Sequence, residues 1–323
     1  MEESEALLIM RCVSNTYING VFFNKEVKPV LDHIDLEMGP GEILGIVGES
    51  GCGKTTLGRS ILGLIDYEGE IIIDGLRQDK KRRRELARKV QAVFQDPAGS
   101  LNPTKQIGWL MGEPLRIHRI GTKQERTKKI DEMLNLVGLD SSYKSRKVPE
   151  LSGGQRQRVC IGCALMLEPK LIIADEAISS LDVSVGAQIL NLFQDLHQRF
   201  GLGLLFISHN LNVVYHLCDR IAVMYQGRLI EIGAAEMLYT APAHPYTRHL
   251  LDAAPEINRE LSVPPYLETA EEFDKATWGC GFAAQCTRKT DVCREPLQEL
   301  LNIGASSAAP HLVRCRNIIS SGL

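Results

Sequence analysis

Five apolar residues, Ile43 to Val47, run straight into "GESGCGKTTLGRS" at 48–60, and this junction limits the possible folds more than any other stretch. The apolar run has the length of a buried strand, and a helical pattern follows the glycines. Gly48, Ser50, Gly51, Cys52 and Gly53 leave backbone amides accessible, and the start of the next helix adds partial positive charge. A strand, loop and helix of this kind hold an anion. The spacing is G-x-x-x-x-G-K-[ST], so Lys54 reaches the terminal phosphates of a nucleotide. The hydroxyl of Thr55 is placed to ligand the accompanying Mg2+, with Thr56 next to it in the same cradle.

The chain has 323 residues, a length that suggests about two domains and a large core. Its 37 basic and 40 acidic residues nearly balance, which removes the electrostatic argument for a nucleic-acid partner. The single basic run, "KKRRRE" at 80–85, reads as a solvated helix face. The acidic start "MEESEALLIM" has neither the basic region nor the apolar core of a secretory signal, and no apolar stretch approaches the ~18 residues of a spanning helix. A cytosolic chain is expected, with any membrane role exercised through partners. In that setting the nine cysteines read as thiols or ligands rather than disulfides.

Short apolar runs alternate with helical patterns, which indicates an α/β fold with a largely parallel sheet. The strand candidates are "ILGIV", "KLIIAD" (170–175), "GLLFIS" (203–208) and "RIAVMY" (220–225). Between Gln95 and Leu151 the pattern becomes helical, with Ile130, Met133, Leu134 and Val137 on one face, and a helical subdomain is expected over roughly 96–158. The alternation stops near Thr240, where prolines and serine pairs take over. The expected division is a nucleotide-binding domain over 1–240 and a small, loop-rich extension over 241–323.

"LIIADE" at 171–176 is a buried strand that ends in two carboxylates, at the sheet edge where ligands of open α/β folds gather. Asp175 would stand behind Mg2+, and Glu176 would polarise a water aimed at the γ-phosphate. Just upstream, "LSGGQRQR" at 151–158 opens a helix with Ser152, Gly153, Gly154 and Gln155, and so forms a second anion cradle.

With "LSGGQ" in view, the chain resembles the ATP-binding cassette (ABC) family over residues ~7–250. The motifs follow in the family's order: "VSNTY" with Tyr17, the phosphate loop, "VFQDP" with Gln95, "LSGGQ", "ADE", "SSLD" (179–182) and "ISHN" with His209. The resemblance implies a P-loop NTPase (RecA-like) core with an antiparallel β edge. It implies that Tyr17 stacks on adenine, that Gln95 joins Thr55 at Mg2+, and that Glu176, Gln95 and His209 serve hydrolysis. It also implies that two cassettes associate head to tail, each ATP lying between one chain's phosphate loop and the other's signature.

Within the family, "FQDPAGSLNP", "DEAISSLDVSVGAQILNL" and "HPYTRHLL" (244–251) resemble the ATPase subunits of oligopeptide, dipeptide and nickel importers. That branch implies a second, related ATPase as partner, with a homodimer as the alternative. Two membrane permeases, an extracytoplasmic binding protein and a peripheral place on the cytoplasmic face of the membrane are also implied. A nickel or metal-chelate importer and the soluble cassette subunit of a phosphonate-degrading complex remain as alternatives. The chain departs from the family at Ala177 and Ile178, where Pro-Thr is usual, and at Cys163, where Arg is common. A less rigid loop after Glu176 is the expected consequence. Cys160 and Cys163 form a C-x-x-C, but on a core helix they read as small packing residues.

Four cysteines of the tail, Cys280, Cys286, Cys293 and Cys315, lie at C-x5-C-x6-C-x21-C. Tight knuckles of the zinc type are missing and wider spacings suit iron–sulfur ligation, so spacing leans toward iron while zinc and free thiols stay open. The branch's own "GC…C…C…H.V.C" pattern, here ending "HLVRC" (311–315), implies a 4Fe-4S cluster. If the cluster forms, Cys286→Ser is expected to abolish its colour yet spare ATP binding at Lys54.

Overall fold

Buried runs of Leu, Ile and Val build one sheet, and runs that alternate apolar with polar residues build another. The computed structural model describes residues 6–19, 26–253, 279–296, 299–304 and 310–318. The chain opens with β1 (Leu8–Asn19) and β2 (Glu26–Met38), passes through β3 (Ile43–Val47) and α1 (Lys54–Ile61), and returns through β4 (Glu68–Ile73) and β5 (Leu76–Arg77). Next come α2 (Arg83–Lys89), β6 (Val90–Val93), α3 (Pro97–Ser100), α4 (Ile107–Ile117), α5 (Lys123–Leu136) and α6 (Gly153–Leu165). The core resumes with β7 (Leu171–Asp175), α7 (Val183–Phe200), β8 (Gly203–Ser208), α8 (Leu211–Leu217), β9 (Arg220–Tyr225) and β10 (Arg228–Ala234). It closes with α9 (Ala235–Thr240), α10 (Pro245–Asp252), β11 (Leu301–Asn302) and β12 (Leu312–Val313).

The larger sheet runs β11-β12-β10-β9-β3-β8-β7-β6, and the smaller runs β2-β1-β4-β5. β6, β7, β8, β3 and β9 pair in parallel, whereas the smaller sheet is antiparallel throughout. Each of the four strands expected from the sequence is present. β3, β7 and β8 are buried from end to end, as parallel strands covered on both faces must be. Their period of two divides the molecule into two cores. Leu44, Ile46, Ile173, Leu205 and Ile207 face α1 and the antiparallel sheet, while Ile43, Val47, Ile172, Ala174, Leu204 and Phe206 face the helical side.

The helical segment packs α4, α5 and α6 together on Ile107, Leu110, Met111, Leu115, Val159 and Ile161. Ile130, Met133, Leu134 and Val137 are all buried there, as their spacing requires. A Thr122/Glu125 capping box starts α5. The segment runs beyond the expected limit at 158, because α6 continues to Leu165. "KKRRRE" lies on the surface, and only Leu86 of α2 is buried.

Helix α9 ends at Thr240, and described residues beyond it pack against the cassette. Tyr246 of α10 is fully buried in the helical-side core, and β12 pairs with β10 of the larger sheet. Strands of two residues cannot enclose a core of their own, so the tail takes its order from the cassette's edge.

Candidate functional site

The phosphate loop turns out of β3 at Gly48 and enters α1 at Gly53, both in backbone conformations that favour glycine (φ 155° and 113°). A Cβ at Gly48 would lie 2.1 Å from the Met224 carbonyl oxygen, and one at Gly53 would lie 2.7 Å from that of Val30. The loop is thus pressed against β9 on one side and β2 on the other. Gly227 N–H donates to the Cys52 carbonyl at 2.8 Å and fixes the loop from the β9–β10 turn. Ser50 and Gly51 are exposed at the tip.

Lys54 is 5% exposed, and its ammonium donates to the Gly48 and Glu49 carbonyls at 2.7 and 2.8 Å. The loop therefore holds its own cation at the place where phosphate oxygens would compete for it. Burial pushes the Cys52 thiol up against the pull of Lys54, so Cys52 lines the loop as a neutral packing group. Thr55 Oγ1 donates to Asp175 Oδ1 at 3.2 Å, which joins the loop to the end of β7. Burial is the main cause that raises the Asp175 carboxyl, and the Thr55 hydrogen bond opposes it. A hydroxyl and a buried carboxylate, both oxygen donors, suit a hard cation such as Mg2+.

Glu176 follows Asp175 in the left-handed region, at φ 48°. A proline at 177 would push its predecessor toward extended backbone, so Ala177 is compatible with this conformation. Ala177 is 2% exposed. Hydrogen bonds close the turn after Glu176. Ser179 N–H and Oγ both donate to the Glu176 carbonyl, at 3.1 and 2.9 Å, and Leu181 N–H donates to that of Ile178. Glu176 Oε1 lies 3.2 Å from His209 Nδ1, which brings the ends of β7 and β8 together. Gln95 is exposed just beyond β6, and its carbonyl accepts from Ser180 Oγ at 3.5 Å. Tyr17 stands on β1 and is 45% exposed, a free aromatic face.

Ser152 is the N-cap of α6 and closes a capping box: its Oγ accepts from Gln155 N–H at 3.4 Å, and Gln155 Oε1 accepts from Ser152 N–H at 3.0 Å. Ser152 and Gly153 are exposed, so the hydroxyl proton and the first amides of the helix remain open to an outside anion. A Cβ at Gly154 would lie 2.5 Å from Val185 Cγ1, so this glycine allows close approach of α7. Cys160 and Cys163 are core thiols; burial pushes Cys160 up to about 12 and Cys163 higher. Neither has the low-pKa character of a redox pair.

In the tail, Cys280, Cys293 and Cys315 line one small cavity with Val292, Glu295, Pro296, Arg314 and Arg316. Burial leads the rise of the Cys315 thiol to about 11, and Cys280, Cys286 and Cys293 add to it, so the four sulfurs are electrostatic neighbours. Among the described residues, however, no group of three or more His, Cys, Asp or Glu is gathered as a metal-ion site.

Two features escaped the sequence reading. Glu231 on β10 is fully buried, and its carboxylate accepts from Ala243 N–H, His244 N–H and His311 Nε2 at 2.7, 2.9 and 2.7 Å. One side chain thereby clips α10 and the tail to the sheet. Tyr246 Oη accepts from Glu49 N–H at 3.0 Å, and the Tyr246 ring packs on Phe282, with ring centres 5.4 Å apart. One aromatic ring thus lies between Phe282 of the tail and Glu49 of the phosphate loop.

Comparison with known proteins agrees with this geometry. The ABC transporter family model matches residues 31–179, and the model of the oligopeptide/dipeptide transporter C-terminal region matches 230–293. The chain is 41% identical over 287 residues to a protein of Brucella abortus (strain 2308) named as a peptide import ATP-binding protein, covering 87% of this chain and 86% of that one. A similarly named protein of Brucella ovis is 43% identical over 280 residues, covering 85% and 88%. Among solved structures, cbiO1 from Clostridium perfringens, part of the ABC transporter complex cbiONQ, aligns with a TM-score of 0.65 at 26% identity, over 73% of this chain and 91% of that one. The ATP-binding cassette MJ0796, a dimer in a post-hydrolysis state bound to ADP and Pi, aligns with a TM-score of 0.63 at 29% identity, over 71% and 98%. With its phosphate loop, its acidic strand end and its signature helix all in place, the chain belongs to the ABC transporter family as an ATPase subunit of the oligopeptide/dipeptide type.

Proposed function

We propose that this chain hydrolyses ATP to drive uptake of dipeptides or oligopeptides through two partner permeases, at the cytoplasmic face of the membrane and fed by an external binding protein. The observation that carries the cargo class is the match of residues 230–293 to the oligopeptide/dipeptide transporter C-terminal region. Relatives named for peptide import support it along most of their length. No helix among the described residues is long and apolar enough to cross a membrane.

The geometry supports a role for each site residue. Lys54 leaves the Gly48 and Glu49 carbonyls for the terminal phosphates, and the amides of residues 51–56 close around them. Thr55 and Gln95, with Asp175 behind them, would hold Mg2+, which would supply neutralisation of phosphate charge. Glu176 takes a proton from the attacking water as the bond from the β–γ bridging oxygen to the γ-phosphorus breaks and that oxygen leaves with ADP. His209 orients the Glu176 carboxylate. Tyr17 stacks on the base. Ser152, Gly153 and Gly154, at the start of α6, serve the γ-phosphate of a partner cassette, and a related but distinct ATPase is the preferred partner.

The tail would hold a 4Fe-4S cluster on Cys280, Cys286, Cys293 and Cys315. The donor chemistry fits, because three thiols line one cavity and the fourth is their electrostatic neighbour. A four-iron centre also spans more space than one zinc ion with bonds of ~2.3 Å. Cysteine ligands bind deprotonated, so loading would release protons from thiols whose pKa burial has raised.

ATPase activity of the chain assembled with its permeases tests the cargo. Binding protein loaded with peptide should stimulate hydrolysis. Stimulation by nickel or a metal chelate instead of peptide would move the chain to the metal-importing alternative.

A further inference from the structure

The phosphate loop is held at its entry arm by a residue far outside the nucleotide motifs. Glu49 lies one step past the turn at Gly48. Its carbonyl accepts from Lys54 Nζ at 2.8 Å, and its N–H donates to Tyr246 Oη at 3.0 Å. The first contact must break when Lys54 turns to phosphate. The second does not involve the lysine and can persist through binding.

Tyr246 is well suited to hold a fixed position. It is the second residue of α10, which is capped by His244: the ring Nδ1 accepts from Tyr246 N–H at 3.0 Å. His244 is itself tied to the sheet through its N–H to the buried Glu231 carboxylate. The Tyr246 side chain is fully buried, with its ring centre 4.5 Å from that of Tyr225 and 5.4 Å from that of Phe282. Tyr225 follows Met224, whose carbonyl oxygen presses on Gly48. Phe282 is 6% exposed and comes two residues after Cys280 in the tail. Tyr225, Tyr246 and Phe282 thus form one aromatic block wedged between the cysteine-bearing tail and the loop.

We propose that Tyr246 is a positioning residue of the phosphate loop, and that Phe282 of the tail holds it in place, so that the C-terminal extension sets the cassette's affinity for ATP. The loop arm is fixed at Glu49 before nucleotide arrives, so binding need not spend free energy on ordering it. When Lys54 leaves Glu49, the arm keeps its place through the tyrosine oxygen. The idea rests on the ATPase assignment and not on the cargo or on a metal in the tail.

Tyr246→Phe removes one oxygen and keeps the ring, so the aromatic block survives. In the full-length protein, Tyr246→Phe should raise the ATP dissociation constant and KM about three- to tenfold, the span of one net hydrogen bond, while kcat at saturating ATP stays within about twofold. A merely structural role would instead lower the active fraction, reducing kcat at unchanged KM. Phe282→Leu, which keeps an apolar side chain but loses the ring, should also raise KM. The double variant should cost less than the product of the two, because both act through the same contact. Equal ATP affinity in Tyr246→Phe and wild type would overturn the proposal. Strictly multiplicative losses would overturn the role of the tail. Loss of hydrolysis with ATP affinity intact would count against both and leave the ATPase assignment standing.

Discussion

Glu231 offers a sharp test of how the tail is attached. Three donors converge on its two oxygens: Ala243 N–H and His311 Nε2 on Oε1, and His244 N–H on Oε2. All lie where water cannot replace a lost partner, since Glu231 is 0% exposed, His244 1% and His311 5%. Glu231→Gln keeps one oxygen, which can serve the pair at Oε1, but it turns an amide group toward His244 N–H. One buried donor is then orphaned, at a cost of about 1–3 kcal/mol. Glu231→Leu orphans all three, and even with relaxation a loss of about 3–5 kcal/mol is expected, the scale for stripping a partner from a buried polar pair. A chain of 323 residues loses roughly 1.5 °C of Tm per kcal/mol. Calorimetry should therefore show Glu231→Gln melting about 1.5–4.5 °C below wild type, and Glu231→Leu lower still. Limited proteolysis should cut the tail of both variants sooner than that of wild type. A wild-type Tm with an equally protected tail in Glu231→Leu would refute the reasoning, because it would mean that these donors find other partners.

Other expectations concern the catalytic groups and pH. Glu176→Gln should bind Mg-ATP normally but turn over roughly 100-fold more slowly, the usual scale for a positioned base; steady-state hydrolysis at the wild-type rate would exclude Glu176 as the base. Lys54→Ala removes a charge in contact with phosphate and should weaken ATP binding itself, as titration with a fluorescent nucleotide would reveal. Burial lowers the His244 pKa from 6.5 to about 4, against the opposing pull of Glu231. The folded state then binds fewer protons than the unfolded one, so His244 costs stability progressively as pH falls from about 6.5 to 4. His244→Asn, which keeps an N-cap oxygen, should flatten the Tm-versus-pH curve in that window. Anaerobically purified protein should be brown with about four irons per chain, and Cys286→Ser colourless; stoichiometric zinc in a colourless protein would contradict the cluster.

Much of the site was legible because its signals are local. β3, β7, β8 and β9 are short apolar runs that tertiary structure could only bury. The phosphate loop and the Ser152/Gln155 box depend on residues within about two turns of each other. What stayed hidden depends on distant contacts. Tyr246 meets Glu49 across 197 positions, and the "HPYT" stretch that carries it gave only a marker of family branch. Glu231 follows apolar residues in "RLIEIGA", where alternation would send a carboxylate to solvent. It is buried because β12 and His311 cover β10, and that pairing joins segments 80 residues apart. The departure at Ala177 likewise reads as a loss of stiffness in sequence, whereas the Ser179 hydrogen bonds that close the turn become visible only in three dimensions.

The central claim is that each ATP is completed by a second cassette, through the exposed signature at Ser152 and Gly153. The most direct measurement is the mass in solution of the Glu176→Gln chain with Mg-ATP, by light scattering, alone and mixed with the sister ATPase of the same importer. The account predicts an ATP-dependent species of two cassettes in at least one of these mixtures, lost when Ser152 is replaced by a bulky residue. A single cassette in both, with ATP bound, would contradict it.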